Sequence, residues 1–434
     1  MMTQPRFVLR TALLLALITP LLLGLAASCS PVRYIMMTAS PHGAGPAAEP
    51  PLPGLEDGLE GWRSARPQIA QTLSDTLYGA PLPGADVSMI EREVIDPDAY
   101  RQSGVLERVS LSIALKNGGQ GAIDLALITP RDAQGPVPVI LIPSDCGLRA
   151  QLRRPDWPES DNPVPGYCEP SGSALEDFAS SFFGDYVVSP PLEQILRRGY
   201  AVAAWHESDI APDRASVHDA TLRALNLDPD APDRPGVIGV WAWMMSRVAD
   251  HLQTDPRIAA DQLSVMGHSR RAKAALLAGA RDDRFGAVIA HQSGTGGASL
   301  HRDNLGEPLA SITQSYPHWF APAYATYADR EDALPLDAHH LLAMIAPRSV
   351  LLGNARRDVW SDPAGAWRAA EAASPVWALY GEDGLRQDTL EDMSVTGRIA
   401  FHIRPATHGV RGEDWDAFLR FLDAQFGGPS EQGL

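Results

Sequence analysis

Along this chain, short continuous apolar runs alternate with longer segments of helical spacing. Residues 105–115 and 123–128 alternate or run apolar on either side of Asn117-Gly118-Gly119, which predicts two strands joined by a turn. Residues 137–142, 199–205, 263–266, 287–290, 349–352 and 400–403 are brief apolar runs of the kind covered on both faces. Between them, Val237–Leu252, 272–280, 338–345, 415–426 and part of 54–78 read as helices. Trp241, Trp243 and Met244 on Val237–Leu252 are read as core. Strands alternating with helices predict a mostly parallel central sheet in a three-layer α/β/α sandwich.

The N-terminal pattern is different. Arg6 and Arg10 precede an apolar stretch over 12–27, broken at Thr19-Pro20, and Ala26-Ala27-Ser28 then lead to Cys29. A basic start, an apolar run and small residues at its end predict a secretory signal over 1–29. Ala-Ala-Ser-Cys also resembles a bacterial lipobox, which makes Cys29 the candidate lipidation site and predicts a membrane-anchored lipoprotein. A plain signal peptide and an uncleaved anchor are the alternatives. Residues 30–53, rich in Ala, Pro and Gly, read as a tether. Residues 54–430 read as one domain with a polar, proline-rich insertion, a candidate lid, at about 151–191.

Composition narrows the function. With 45% hydrophobic and 21% charged residues the chain can bury a large core. A net charge of −17 argues against a nucleic-acid surface. Of the three cysteines, Cys146 and Cys168 remain if Cys29 carries lipid. They would pair in an oxidising compartment or stay as buried thiols.

The candidate chemistry centres on Gly267-His268-Ser269. An apolar strand, a sharp turn and a helix-forming segment surround it, the setting of a nucleophile elbow. The turn would hold the Ser269 hydroxyl clear of the sheet with its backbone N–H toward substrate. The competing reading makes Ser269 an ordinary helix N-cap. A serine nucleophile needs a base, and the base needs an acid. His408, on the loop after the last strand, is the expected base, while His402 lies within that strand. Asp358 follows the strand at 349–352 and is the expected acid, with a loop salt bridge to Arg356 or Arg357 as its alternative role. Asp362, before Pro363, reads as a helix cap.

Five motifs in order then resemble the glucuronoyl esterases of carbohydrate esterase family 15, bacterial branch, in the α/β-hydrolase superfamily. They are Gly267-His-Ser-Arg-x-x-Lys273, Gln292-Ser-Gly-Thr-Gly-Gly-Ala298, Pro317-His-Trp-Phe320, His340 through Arg348, and Asp358-x-Trp360. The resemblance implies a serine esterase, without metal or cofactor, acting on glucuronoxylan esters of glucuronic or 4-O-methyl-glucuronic acid. It implies Ser269, His408 and Asp358 as the triad and Arg270 as an oxyanion donor. Lys273, Glu307, Gln314 and Trp360 would bind the sugar. Two positions depart from the fungal pattern. Gln292 stands where fungal members carry a glutamate as the acid, and His268 replaces the cysteine before the serine.

The expectation is therefore an exported, monomeric uronoyl esterase. Acetyl xylan esterase or general carboxylesterase activity is the alternative within the enzyme class. A non-catalytic saccharide-binding relative is the alternative outside it.

Overall fold

The structure, a computed structural model, describes residues 50–158, 162, 164, 168 and 186–428. The signal and Cys29 expected at the N-terminus, and most of the expected insertion, lie outside the described residues.

Nine strands form one sheet: β1 (Ala85–Asp98), β2 (Gly104–Leu115), β3 (Gln120–Pro130), β4 (Val137–Ser144), β5 (Ala201–His206), β6 (Ile258–His268), β7 (Phe285–His291), β8 (Ser349–Ala355) and β9 (Ile399–Arg404). Their spatial order is β1-β2-β3-β5-β4-β6-β7-β8-β9. The β1–β2, β2–β3 and β3–β5 pairings are antiparallel, and every pairing from β5 through β9 is parallel.

Each parallel strand carries a continuous apolar run because both faces of that run are covered. Val139 and Leu141 of β4 point into one core, and Ile140 and Ile142 point into the other. The first core is packed by α1 (Gly58–Leu73), α2 (Val237–Leu252), α3 (Arg270–Arg281), α5 (Ala338–Ala343) and α6 (Pro363–Ala373), while the short α4 (Leu309–Ser315) adds Leu309 and Ile312. The second core is packed by α7 (Gly412–Phe426) through Trp415, Phe418 and Phe421. Helix α2 has the predicted bounds, and its Trp241, Trp243 and Met244 are all buried. This is the expected α/β-hydrolase architecture.

Strand β1 has no counterpart in the sequence prediction. It is a sheet edge, interrupted by register shifts at Met89/Glu91 and Val94/Asp96. Met89, Ile90 and Val94 are all exposed. With little of it buried, β1 carries no clear two-residue alternation to read.

The parallel half positions the site. Asp145, Glu207, Ser269, Gln292, Asp358 and His408 all follow the C-terminal ends of β4 through β9, so one edge of the sheet gathers residues widely spread along the chain.

Candidate active site

The turn from β6 into α3 is strained at one residue. Ser269 has φ 58° and ψ −126°, a backbone conformation that costs about 1–3 kcal/mol and persists only where packing imposes it. Gly267 makes the turn passable, since a Cβ there would lie 2.2 Å from the Arg271 carbonyl oxygen. The Ser269 side chain makes no capping hydrogen bond to α3. Its backbone N–H does not face a substrate, contrary to expectation. It donates to the His291 carbonyl at 2.8 Å, because the turn presses against the end of β7.

On the loops after β9 and β8, His408 Nδ1 and Asp358 Oδ2 lie 2.7 Å apart. Ser361 Oγ donates to the same carboxylate oxygen at 2.6 Å. Burial alone would raise the Asp358 pKa. The charge and hydrogen bond of His408, with that of Ser361, more than reverse this and hold it below the usual carboxylate range. Arg356 pairs with Glu391 instead. Asp362 caps α6 through the Gly365 N–H at 3.0 Å, and His402 Nε2 contacts Asp414 at 3.0 Å. The ring of His268, the residue before Ser269, packs on that of His408 with centroids 4.6 Å apart. The elbow and the imidazole are thus neighbours. Ser269 Oγ and His408 Nε2 have no hydrogen-bond partner among the described residues.

Arg270 sits in a network that sequence reasoning missed. Its Nη1 donates to Asp213 Oδ2 at 2.5 Å and its Nη2 lies 3.6 Å from Asp145. The guanidinium lies 5.8 Å from the centre of the Trp319 ring. Asp213 also takes the Trp319 indole N–H at 2.7 Å and contacts His318 Nε2 at 2.8 Å. Arg271, buried beside it, reaches Asp145 at 3.0 Å and Glu207 at 3.7 Å. Burial pushes the Glu207 carboxyl up to about 8, with Arg271 opposing. Pro317-His-Trp-Phe320 was visible as a motif, but nothing in sequence spacing ties it to Asp213, about a hundred residues earlier. Cys146, next to Asp145, forms a disulfide with Cys168 and so ties the expected insertion to this network. The Asp145, Cys146 and Cys168 ligand atoms lie within 4.8 Å of one another, but both sulfurs are already bonded together.

Three of the four expected sugar-binding residues come together. Lys273 is buried and donates to the carbonyls of Ser293 and, at 2.7 Å, Thr295. Burial pushes its pKa down to about 8, opposed by Glu307 and Asp358. Glu307 is raised by burial and partly restored by Lys273 and a hydrogen bond from Trp360. Its backbone N–H donates to the Trp360 carbonyl at 2.9 Å. Trp360 leaves 45% of its surface exposed, an apolar face at the rim. Gln314 is exposed on α4 and makes no hydrogen bond to these three. Tyr316, just past α4, stacks on Trp319 with centroids 3.8 Å apart and was not anticipated.

A strained serine, an imidazole held by a buried carboxylate and a fixed arginine form a constellation suited to acyl transfer. Comparisons with known proteins agree. The family model described as glucuronyl esterase, fungi, matches residues 189–381. A carbohydrate esterase from an unknown prokaryotic organism is 30% identical over 381 residues, covering 85% of this chain and 86% of the relative. A solved structure of a promiscuous esterase of carbohydrate esterase family 15, from a marine bacterial metagenome, superposes with a TM-score of 0.76 at 28% identity, covering 88% of this chain and 98% of the other. The glucuronoyl esterase from Solibacter usitatus gives a TM-score of 0.73 at 31% identity, over 88% and 99% of the two chains. Sharing about 30% of its residues with relatives that match it along nearly their whole length, the chain belongs to carbohydrate esterase family 15, the glucuronoyl esterases.

Proposed function

We propose that this carboxylic ester hydrolase cleaves esters of glucuronic and 4-O-methyl-glucuronic acid, as in the ester links of glucuronoxylan, with Ser269 as nucleophile. The hydroxyl of Ser269 attacks the uronoyl carbonyl while His408 Nε2 takes its proton. The observation that carries this reading is the 2.7 Å contact from His408 Nδ1 to Asp358 beside the strained Ser269. Asp358 fixes the imidazole and stabilises the imidazolium. Arg270, restrained by Asp213, offers its guanidinium to the developing oxyanion, a charge best met by donors already in place. His408 then protonates the leaving alcohol, and a water repeats the sequence on the acyl-enzyme. Lys273, Glu307, Gln314 and Trp360 are the proposed contacts to the uronic acid, Trp360 through its exposed ring face. We also propose export of a monomer, with Cys29 as the lipidated residue.

The test is hydrolysis of benzyl glucuronate against acetylated xylan and p-nitrophenyl acetate, beside Ser269→Ala. Release of glucuronate that disappears in Ser269→Ala supports the reading. Turnover of acetyl esters alone would replace it with an acetyl or general esterase. Binding of glucuronoxylan by folded protein without turnover of any ester would leave a saccharide-binding role. Incorporation of labelled palmitate, lost in Cys29→Ala, tests the anchor.

A further inference from the structure

The residue at the family's early-acid position in this chain is an amide, and its bonds point to a different task. Gln292 follows β7 with φ 55°, a left-handed conformation unusual for a residue with a side chain. Its backbone N–H is fixed to the Gly353 carbonyl at 2.7 Å. From that anchored backbone the side chain reaches both neighbours of His408. Nε2 donates to the Thr407 carbonyl at 3.3 Å, and Oε1 accepts from the Gly409 N–H at 2.8 Å. The same Oε1 lies 3.0 Å from His268 Nε2. The Gly409 N–H marks this atom as the amide oxygen, which has no proton to give and can only accept a second bond, from His268. His268 must therefore carry its proton on Nε2. The ring so fixed packs against His408.

We propose that Gln292 and His268 form an uncharged clamp that positions the catalytic base: Gln292 grips the backbone on both sides of His408, and His268 braces its ring. This rests on the reading of His408 as the base. A carboxylate could accept from Gly409 and His268 but could not donate to Thr407. The amide supplies both functions without charge, which leaves Asp358 as the carboxylate in contact with the imidazole. His268 stays neutral, held well below its ordinary pKa by burial and by His408, His291 and Arg271.

The test uses the full chain and whichever ester the parent enzyme turns over, so a different substrate class leaves it intact. Gln292→Met keeps the size and removes all three bonds. The clamp predicts a loss in kcat of about tenfold to a hundredfold, the scale of a slightly misplaced catalytic group, with KM within twofold and an unchanged acid limb of the pH–rate profile. Gln292→Glu discriminates further. When protonated, its carboxyl reproduces the donor and acceptor of the amide; when ionised, it offers acceptors only. Its activity relative to the parent should be highest at low pH and fall as the carboxyl ionises. The charged and titratable groups around the clamp are His268, which contacts residue 292, then Arg271 from the elbow, His291 from β7 and His408 after β9 around His268, and Asp358 after β8 against His408. Asp414 and Arg404 lie behind His291. His268→Phe should lower kcat while His268→Gln, which restores a donor, recovers part of it. Parent-like kcat in Gln292→Met, or Gln292→Glu activity that rises relative to the parent as it ionises, overturns the clamp. If Gln292→Met unfolds, the pH trend of Gln292→Glu decides alone.

Discussion

The two flanks of Ser269 are built on opposite electrostatic plans. Toward β7, β8 and β9, one carboxylate, Asp358, touches His408, and the nearby groups include the Gln292 amide and the buried rings of His268 and His291. Toward β4 and β5, Arg270 and Arg271 are interleaved with Asp145, Asp213 and Glu207. The difference follows from what each flank must do. An imidazole gains and loses a proton in each half-reaction, so one fixed charge can orient it, and further charges would trap one state. A guanidinium never titrates in this range, and holding two of them partly buried requires counter-charges, which Asp213 and Asp145 supply at close range.

Breaking the one carboxylate contact to His408 should cost most. Asp358→Asn keeps the shape but removes the charge and presents the wrong donor pattern to Nδ1, so kcat should fall on the order of 10³–10⁴-fold with the fold intact. Steady-state kinetics beside circular dichroism checks it. On the second flank, Arg270→Met should lower kcat by about 10²–10³-fold, the loss expected for one oxyanion donor. Asp213→Asn keeps Arg270 but weakens its restraint. Its loss in kcat/KM should be smaller, about tenfold, and a larger loss than in Arg270→Met would place Asp213 outside a supporting role.

The smallest effect is one of stability. Glu207 is raised from 4.5 to about 8, so the folded protein holds a proton that the unfolded chain releases. Stability from this group is therefore complete below pH 4.5 and declines as pH rises toward about 8. Glu207→Gln removes the decline. Its melting temperature should match the parent near the acid end and exceed it at alkaline pH, by roughly 2–4 °C per kcal/mol relieved. Calorimetry across that range would show equal curves if Glu207 were already ionised in the folded state.

Much of the frame was legible in the sequence. Six of the short apolar runs became parallel strands or their cores, because the stretch of a strand covered on both faces is a continuous apolar run. Gly267-His268-Ser269 announced the elbow, since no larger residue fits at Gly267. Strand β1 was missed because its exposed side chains leave little buried face to impose a period. The direction of the Ser269 N–H was misread because its acceptor, the His291 carbonyl, belongs to another strand.

By itself, then, the sequence determined the alternation of strands and helices, the turn that strains Ser269, and His408 and Asp358 as the residues after the last two strands. Those are local matters of period, side-chain size and order along the chain. Only the tertiary structure decided that Asp213 holds Arg270, that Asp145 serves Arg271, and that Gln292 takes the N–H of Gly409, 117 residues away. Each of those contacts closes a long loop, and the entropy of closing it is offset by the packed sheet rather than by any preference of the residues themselves.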